Sequence, residues 1–455
     1  MTITAPAVLE DLTRDLSDWS VTPADLGIVA SDRSGSPDAG LPAIVVRAHD
    51  VAQVQATARF ASAHGVALVT RGAGSGLAGG AVAGTGTIVL DLSALDRIVE
   101  IRPVDQVAVV EAGVITADLD AAAAAHGLFY APDPGSVGIS TIGGNIATNA
   151  GGLRGAKYGV TRDAVLALDV VLADGRLVHL GAGTLKHVAG FDLASLVVGS
   201  EGTLGIVVGA TLRLLPRPAV TGTVAAYFGS LEDAADAAVA VRSSGVRPSV
   251  LEIVDGRTLG AIDELSGTTL RERGEAFLLV QVDGLDVTAE LAAVERAIAG
   301  ATHLESSVDA ETSERLLAAR RLALPAIEAR GRALIEDIAV PPSRLPEAIR
   351  GVYAIAESTG TTIYVFAHAG DGNLHPIIQV DAGAGDALPA SAVEAADRIF
   401  ALALELGGTV TGEHGVGLLK QAWVARQVGP HVDGIQQDIK RLLDPAGVLN
   451  PGKAI

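Results

Sequence analysis

The chain has 455 residues, enough for more than one domain and a large apolar core. Its 33 basic against 53 acidic residues leave a formal net charge of -20, which argues against a nucleic-acid partner. The same charge means that an anionic substrate needs local positive charge, from arginines or a metal. There is no cysteine, which excludes disulfides, thiolate-bound zinc, cysteine-held iron–sulfur clusters and a cysteinyl-linked flavin.

Met1 to Trp19 carries acids and no apolar run behind a basic region, so no secretory signal is expected. No run of about 18 apolar residues occurs, so no transmembrane helix is expected and the protein reads as soluble and cytoplasmic. Strands and helices alternate from residue 42. Ile44–Arg47 predicts a strand. Asp50 with Gln53 predicts a capping box for a helix that ends at His64 before Gly65. Val66–Thr70 predicts a strand that runs into Arg71-Gly72-Ala73-Gly74-Ser75-Gly76. Further strands are expected at Ile88–Asp91, Ile98–Ile101 and Val107–Glu111, and an alanine-rich helix from Thr116 to a stop at Gly127. Residues 131–160 are rich in Gly, Asn, Ser and Thr and too long for a simple connection. Strands resume at Ala167–Leu172 and Leu177–Leu180 around an Asp174-Gly175 turn. Pro216 and Pro218 close this region.

From about residue 221 strands alternate with amphipathic helices, among them Leu231–Val241, Thr288–Ala299 and Ser391–Leu406. Thr362–Phe366 and Ile377–Val380 read as two strands joined by an Asp371-Gly372-Asn373 turn. That hairpin makes His368 and His375 cross-strand neighbours on one face, within about 5 Å. The C-terminal run Leu443 to Lys453 consists of turn residues and must pack against something to be ordered.

Four constellations carry chemistry. The glycines of 71–76 let backbone N–H groups approach a phosphate as an anion-binding nest, or form a plain turn. Their spacing is not that of a dinucleotide-binding Rossmann turn. Pro134-Gly135-Ser136 and Gly143-Gly144-Asn145-Ile146-Ala147-Thr148-Asn149-Ala150-Gly151-Gly152 offer backbone donors and small side chains against which a flat ring or pyrophosphate could rest. Gly199-Ser200-Glu201-Gly202-Thr203-Leu204-Gly205-Ile206 is, by itself, a turn entering a strand. His368 and His375 lack only a carboxylate to make a metal site, and Gly412-Glu413-His414-Gly415 supplies one with a spare histidine beside it. Two imidazoles and one carboxylate leave a coordination position open for substrate.

Together the first three of these pieces resemble the FAD-binding domain of the vanillyl-alcohol oxidase superfamily. With His368, His375, the Gly412–Gly417 run and the Leu449-Asn450-Pro451-Gly452-Lys453 end, residues 40–455 resemble the FAD-linked D-2-hydroxyacid dehydrogenases. That group includes D-lactate dehydrogenase, the glycolate oxidase FAD subunit and D-2-hydroxyglutarate dehydrogenase. The resemblance implies an α+β protein: a PCMH-type (p-cresol methylhydroxylase-type) FAD-binding domain over 1–220, an antiparallel-sheet cap over 221–420, and a segment, 421–455, returning to the FAD domain. It implies that Arg71, Gly72, Ala73, Gly74, Ser75, Gly76, Pro134, Gly135, Ser136, Gly143, Gly144, Asn145, Thr148, Gly151 and Gly152 hold FAD. Glu201, Gly202 and Ile206 would contact its adenine end or linker, and Asn450 would reach back to the flavin region. His368, His375 and Glu413 would ligate a divalent metal, zinc or manganese. His414 would be the catalytic base, Asn373 would touch substrate, and Arg320 would bind its carboxylate.

Two residues depart from the family pattern. Ser75 stands where some superfamily members carry a flavin-linking histidine, so noncovalent FAD is expected. Ile335 stands where hydroxyglutarate-type enzymes carry a lysine before the segment Asp337-Ile338-Ala339-Val340-Pro341, which favours a monocarboxylate.

The expected chemistry removes a proton from oxygen and a hydride from carbon. A Lewis-acid metal acidifies the hydroxyl, a histidine accepts the proton, and the hydride goes to the flavin. Arg320 suits a bidentate grip on the carboxylate but has a rival in Arg321, and Asn373 also suits the turn itself. The reading is therefore an FAD- and metal-dependent dehydrogenase of a small D-2-hydroxyacid, D-lactate or glycolate-like. Its electrons would pass to a quinone, a cytochrome or an electron-transfer flavoprotein, and a homodimer is compatible with it. The alternatives are an alkylglycerone-phosphate synthase-like FAD enzyme and an FAD-containing subunit of a glycolate oxidase complex.

Overall fold

The computed structural model describes residues 6–14, 16–36, 38–380 and 388–455, so part of the segment read as lacking a signal lies outside the described residues. The chain forms two compact units. One comprises residues 1–151, 159–217 and 413–455, and the other residues 152–158 and 218–412.

The first unit holds two main sheets. In one, Ile44–Arg47 and Leu68–Arg71 flank Ile88–Asp91 in parallel, and the short strand Trp19–Ser20 closes the edge. The helix Val51–His64 crosses between the first two parallel strands. The Asp50 side chain accepts the Gln53 N–H and Gly65 ends the helix at φ 63°, as the sequence predicts, while the Gln53 side chain accepts the His49 N–H rather than closing a capping box on Asp50. Val54, Thr57, Ala58 and Ala61 recur at helical spacing and are fully buried, with Val54, Ala58 and Ala61 packed against Ile44, Val46, Leu68, Ile88 and Leu90. Burial of a valine such as Val54 contributes about 1.5–3 kcal/mol.

The other sheet is antiparallel, in the order Ile98–Arg102, Val107–Glu111, Ile206–Arg213, Val165–Val171, Leu177–Gly181. Its core contains Val110, Leu168, Val170, Ala210 and Leu212, covered in part by Ile142 and Ile146. Those two residues belong to a short helix, Ile142–Thr148, inside the stretch that the sequence shows only as a long connection. Thr141 caps it by accepting the Gly144 N–H, and Asn149 ends it in the left-handed conformation at φ 53°.

The second unit is built on one antiparallel sheet, in the order His303–Ser307, Gly222–Phe228, Ala276–Val282, Val250–Asp255, Ile363–His368, Asn373–Gln379, Ala333–Ile335, with Ile338–Ala339 also pairing to Asn373–Gln379. Every residue of Gly222–Phe228, Val250–Asp255 and Ile363–His368 is buried. These strands are therefore covered on both faces and mostly apolar, with Thr223, Glu252, Asp255 and His368 as buried polar exceptions. On one face Val250, Val254, Phe277, Leu279, Tyr364, Phe366 and Ile377 pack with the helices Gly256–Ser266, Ala310–Arg321 and Ala323–Glu328.

Candidate functional site

In the first unit the glycine-rich pieces converge. Gly72 lies so close to Thr141 that a Cβ there would overlap the threonine hydroxyl. The loop Arg71–Gly76 thus abuts the start of the helix Ile142–Thr148. Gly74 sits at φ +67°, where the Arg71 guanidinium folds over it, and Arg71 Nη1 donates to the Ser31 carbonyl at 2.7 Å. Burial holds the Arg71 pKa below its ordinary value. Among the described residues, no acceptor takes the backbone N–H groups of Gly72 to Gly76. That is the donor array an anionic pyrophosphate needs.

The second glycine stretch contributes differently from the sequence reading. Gly143 N–H donates to Ala112 O at 2.7 Å, Gly144 N–H to Thr141 Oγ1, and Asn145 N–H to Thr141 O. These amides start a helix and are not open donors. What Gly143 supplies is close approach, since a Cβ there would lie 2.7 Å from Ala112 Cβ. Asn145 is buried and donates to Thr116 Oγ1, and Thr148 Oγ1 donates to Gly144 O. Pro134 and Ser136 shape a tight turn through their carbonyls, and Gly135 faces open space.

The third piece and the C-terminus also meet. Glu201 is buried at φ 52°, an uncommon conformation for a non-glycine residue, and both its carboxylate oxygens accept backbone N–H groups, from Val416 and Gly417. Desolvation pushes its pKa up against those bonds. Gly202 follows at φ +74°, and Ile206 opens its strand fully buried in the core. Asn450 Nδ2 donates to Glu201 O at 2.6 Å and Gly80 O at 3.0 Å, while its backbone N–H pairs with Leu68 O. Lys453 Nζ donates to Asn450 Oδ1 at 2.8 Å and to Val82 O. The terminal run is thus ordered by packing against the glycine-loop sheet. The open amides of 72–76 and the close approaches at Gly72 and Gly143 fit a flavin dinucleotide.

Glu413 and His414 lie in a bend, not on a strand. His414 Nε2 is 3.8 Å from Glu413 Oε1. A Cβ on Gly151 would lie 2.6 Å from Glu413 Oε2, so Gly151 makes room for that carboxylate.

In the second unit the histidine hairpin forms, with a different register. The strands are Ile363–His368 and Asn373–Gln379, His368 opposes Asn373, and His375 opposes Phe366. His368 and His375 are therefore a diagonal pair on one face, with ring centroids 5.0 Å apart and rings nearly perpendicular. Both are buried, and their ring nitrogens come within 4.8 Å of one another. The turn is Ala369 to Gly372, and Gly372 takes φ 88° with its N–H on His368 O. Asn373 is thus the first strand residue, and its carboxamide packs against Gly412.

Two buried carboxylates that the motifs did not single out as site residues back this pair. Glu252, fully buried and directly opposite His368, accepts from His368 Nδ1 at 2.7 Å and from Arg320 Nε at 2.7 Å. The sequence does carry a signal for it: a lone charge inside Val250-Leu251-Glu252-Ile253-Val254 is out of place unless paired. Asp337 Oδ1 is 3.9 Å from His375 Nδ1, and its Oδ2 accepts Thr411 Oγ1 and the Gly412 N–H, anchoring the residue before Glu413. Arg320 is buried, its guanidinium 4.2 Å from the Phe366 ring centroid, whereas Arg321 is exposed and paired with Glu314. Of the two arginines, Arg320 is the one that reaches the histidine face. Ile335 packs beside this face, opposite Ile377. The paired imidazoles, with carboxylates behind them, fit a divalent cation.

This architecture and site define a two-domain flavoenzyme, and the comparisons agree. Residues 42–181 match the FAD binding domain model, and residues 217–454 match the model of the C-terminal domain of FAD linked oxidases. The chain is 39% identical to the glycolate oxidase subunit GlcD of Bacillus subtilis (strain 168), over 91% of this chain and 89% of that one. It is 35% identical to D-lactate dehydrogenase of Archaeoglobus fulgidus, over 92% and 93% of the two chains. Among solved structures it resembles p-cresol methylhydroxylase (TM-score 0.80, 17% identity, 98% and 96% covered) and alkyldihydroxyacetonephosphate synthase (0.75, 16%, 99% and 85%), likenesses that show the fold. The chain belongs to the FAD-linked oxidases of the D-2-hydroxyacid dehydrogenase family and is an FAD-dependent oxidoreductase. No helix among the described residues is long and apolar enough to cross a membrane.

Proposed function

We propose that the protein dehydrogenates a small D-2-hydroxyacid, D-lactate or a glycolate-like monocarboxylate, to the 2-oxoacid. It would use noncovalent FAD and a divalent metal, zinc or manganese, held by His368, His375 and Glu413. The observation that carries this reading is the buried face of the second unit, which combines paired imidazoles with an arginine stacked on Phe366. The names of the two relatives, a glycolate oxidase subunit and a D-lactate dehydrogenase, support the substrate class. When bound, FAD supplies the hydride acceptor and the metal acidifies the substrate hydroxyl.

The chain's own residues do the rest. Arg320 meets the substrate carboxylate through its Nη groups, since Nε is committed to Glu252. Asn373 borders the substrate, and His414 takes the hydroxyl proton. Glu413 lies 3.8 Å from His414, which places that base beside the proposed ligand set. The loops 71–76, 134–136 and 143–152 hold the cofactor, with Glu201, Gly202, Ile206 and Asn450 shaping the far side of its site. Ile335 presents no charge to a second carboxylate. Electrons leave to a quinone, a cytochrome or an electron-transfer flavoprotein. A second reading, a flavin subunit of a larger complex, is favoured by the word subunit in the name of the 39%-identical relative.

Anaerobic mixing with D- and L-2-hydroxyacids tests the proposal without any acceptor. Bleaching of the flavin by D-lactate or glycolate is expected, and no bleaching by any 2-hydroxyacid would overturn it.

A further inference from the structure

We propose that Glu252 is a positioning residue that sets both the metal-ligating form of His368 and the orientation of Arg320. The proposal rests on the function argued above, and it assigns work to a residue outside the ligand and base set. Glu252 stands in the middle of the strand Val250–Asp255, opposite His368 across the ladder. It has no exposed surface. One carboxylate oxygen meets His368 Nδ1 at 2.7 Å, and the other meets Arg320 Nε at 2.7 Å.

A carboxylate can only accept at these distances, so His368 carries its proton on Nδ1 and the lone pair on Nε2. That is the tautomer a metal needs, and a hydrogen-bonded carboxylate behind an imidazole also raises its basicity toward the metal. The same anion fixes Arg320 from the other side. With Nε held and the guanidinium stacked at 4.2 Å over Phe366, its plane has little freedom left. Phe366 in turn lies 5.3 Å from the His375 ring. One buried charge therefore ties a ligand for the metal to a binder for the carboxylate, and disturbing it should weaken both at once.

The test uses the FAD-loaded full chain freed of divalent metal. In the wild type, 15N NMR of labelled histidines, with His368 identified by its loss in His368→Gln, should show the Nδ1–H tautomer. An Nε2–H tautomer overturns the proposal without any change at Glu252. Titration with Mn2+, followed by the electron paramagnetic resonance of the free ion, should show Glu252→Gln binding about 10- to 100-fold more weakly than wild type. KM for D-lactate, measured at saturating Mn2+, should rise about tenfold or more, because Arg320 is no longer held in plane.

Glu252→Asp, which keeps the charge on a shorter stem, should recover part of both losses. Glu252→Gln leaves a buried arginine unpaired. The double variant Glu252→Gln/Arg320→Gln removes that fault and should still bind Mn2+ more weakly than Arg320→Gln alone. Wild type that binds neither Mn2+ nor Zn2+, the latter read by metal analysis after dialysis, sinks the metal assignment itself. Wild type that binds Mn2+ beside a Glu252→Gln protein with equal affinity and unchanged KM sinks only the role of Glu252.

Discussion

Lys453, two residues before Ile455, offers a stability test with a definite sign. Its ammonium is buried beside Val82 O and Asn450 Oδ1, and burial pushes its pKa down from 10.5 to about 8 against the opposing pull of Asp32 and Glu201. Below about pH 8 both the folded and the unfolded chain carry the proton, and the full cost of burying the charge is present. Between about pH 8 and 10.5 the unfolded chain still binds the proton while the folded chain has released it. Stability must therefore rise with pH through that window. The gap corresponds to about 3 kcal/mol. Lys453→Met keeps the apolar stem and removes the titration. Urea denaturation of both proteins, saturated with FAD, at matched pH values isolates the lysine, because the buried tyrosines titrate equally in each. The wild type should gain about 3 kcal/mol on the variant between about pH 7.5 and 10.5, with a flat difference below that. A difference that stays constant within about 1 kcal/mol across the window would refute the reasoning.

Acid precipitation should release all flavin colour into the supernatant, since Ser75 stands where a histidyl link would fall; colour in the pellet would show a covalent bond. His375→Ala should lose bound metal and activity yet keep FAD, as read by metal analysis and the visible spectrum, and full activity in that metal-free variant would remove the metal from the reaction. His414→Gln should lower the rate of flavin reduction by saturating substrate about 100-fold or more in stopped flow; an unchanged rate assigns the proton to another group. D-lactate should exceed D-2-hydroxyglutarate in kcat/KM by at least about tenfold, because Ile335 leaves a distal carboxylate without a partner; the reverse order would show a second anion site.

The elements with local causes were legible in the sequence. The helix Val51–His64 appears at its expected bounds because its cap, its stop and its apolar spacing all lie within sixteen residues. Ile44–Arg47, Ile88–Asp91 and Val107–Glu111 likewise appear as read. The family was legible because several motifs occur in one order, and the histidine pair because a hairpin brings near neighbours together. Whatever depended on distant partners was decided by tertiary structure. The exact register of the hairpin follows from a four-residue turn whose Gly372 backs onto Val340, a contact 32 positions away in the chain. The amides of Gly143 and Gly144 are spent on Ala112 and Thr141, so these two glycines are not the open donors their sequence suggests, whereas those of 72–76 are. Arg320 is separated from Arg321 only by which side of the helix meets the core. Glu252 joins the site because strand pairing sets it opposite His368, 116 positions later in the chain. A pattern in sequence reports what a residue's neighbours favour, while a buried charge finds its partner through the pairing of strands. That pairing is a property of the whole sheet.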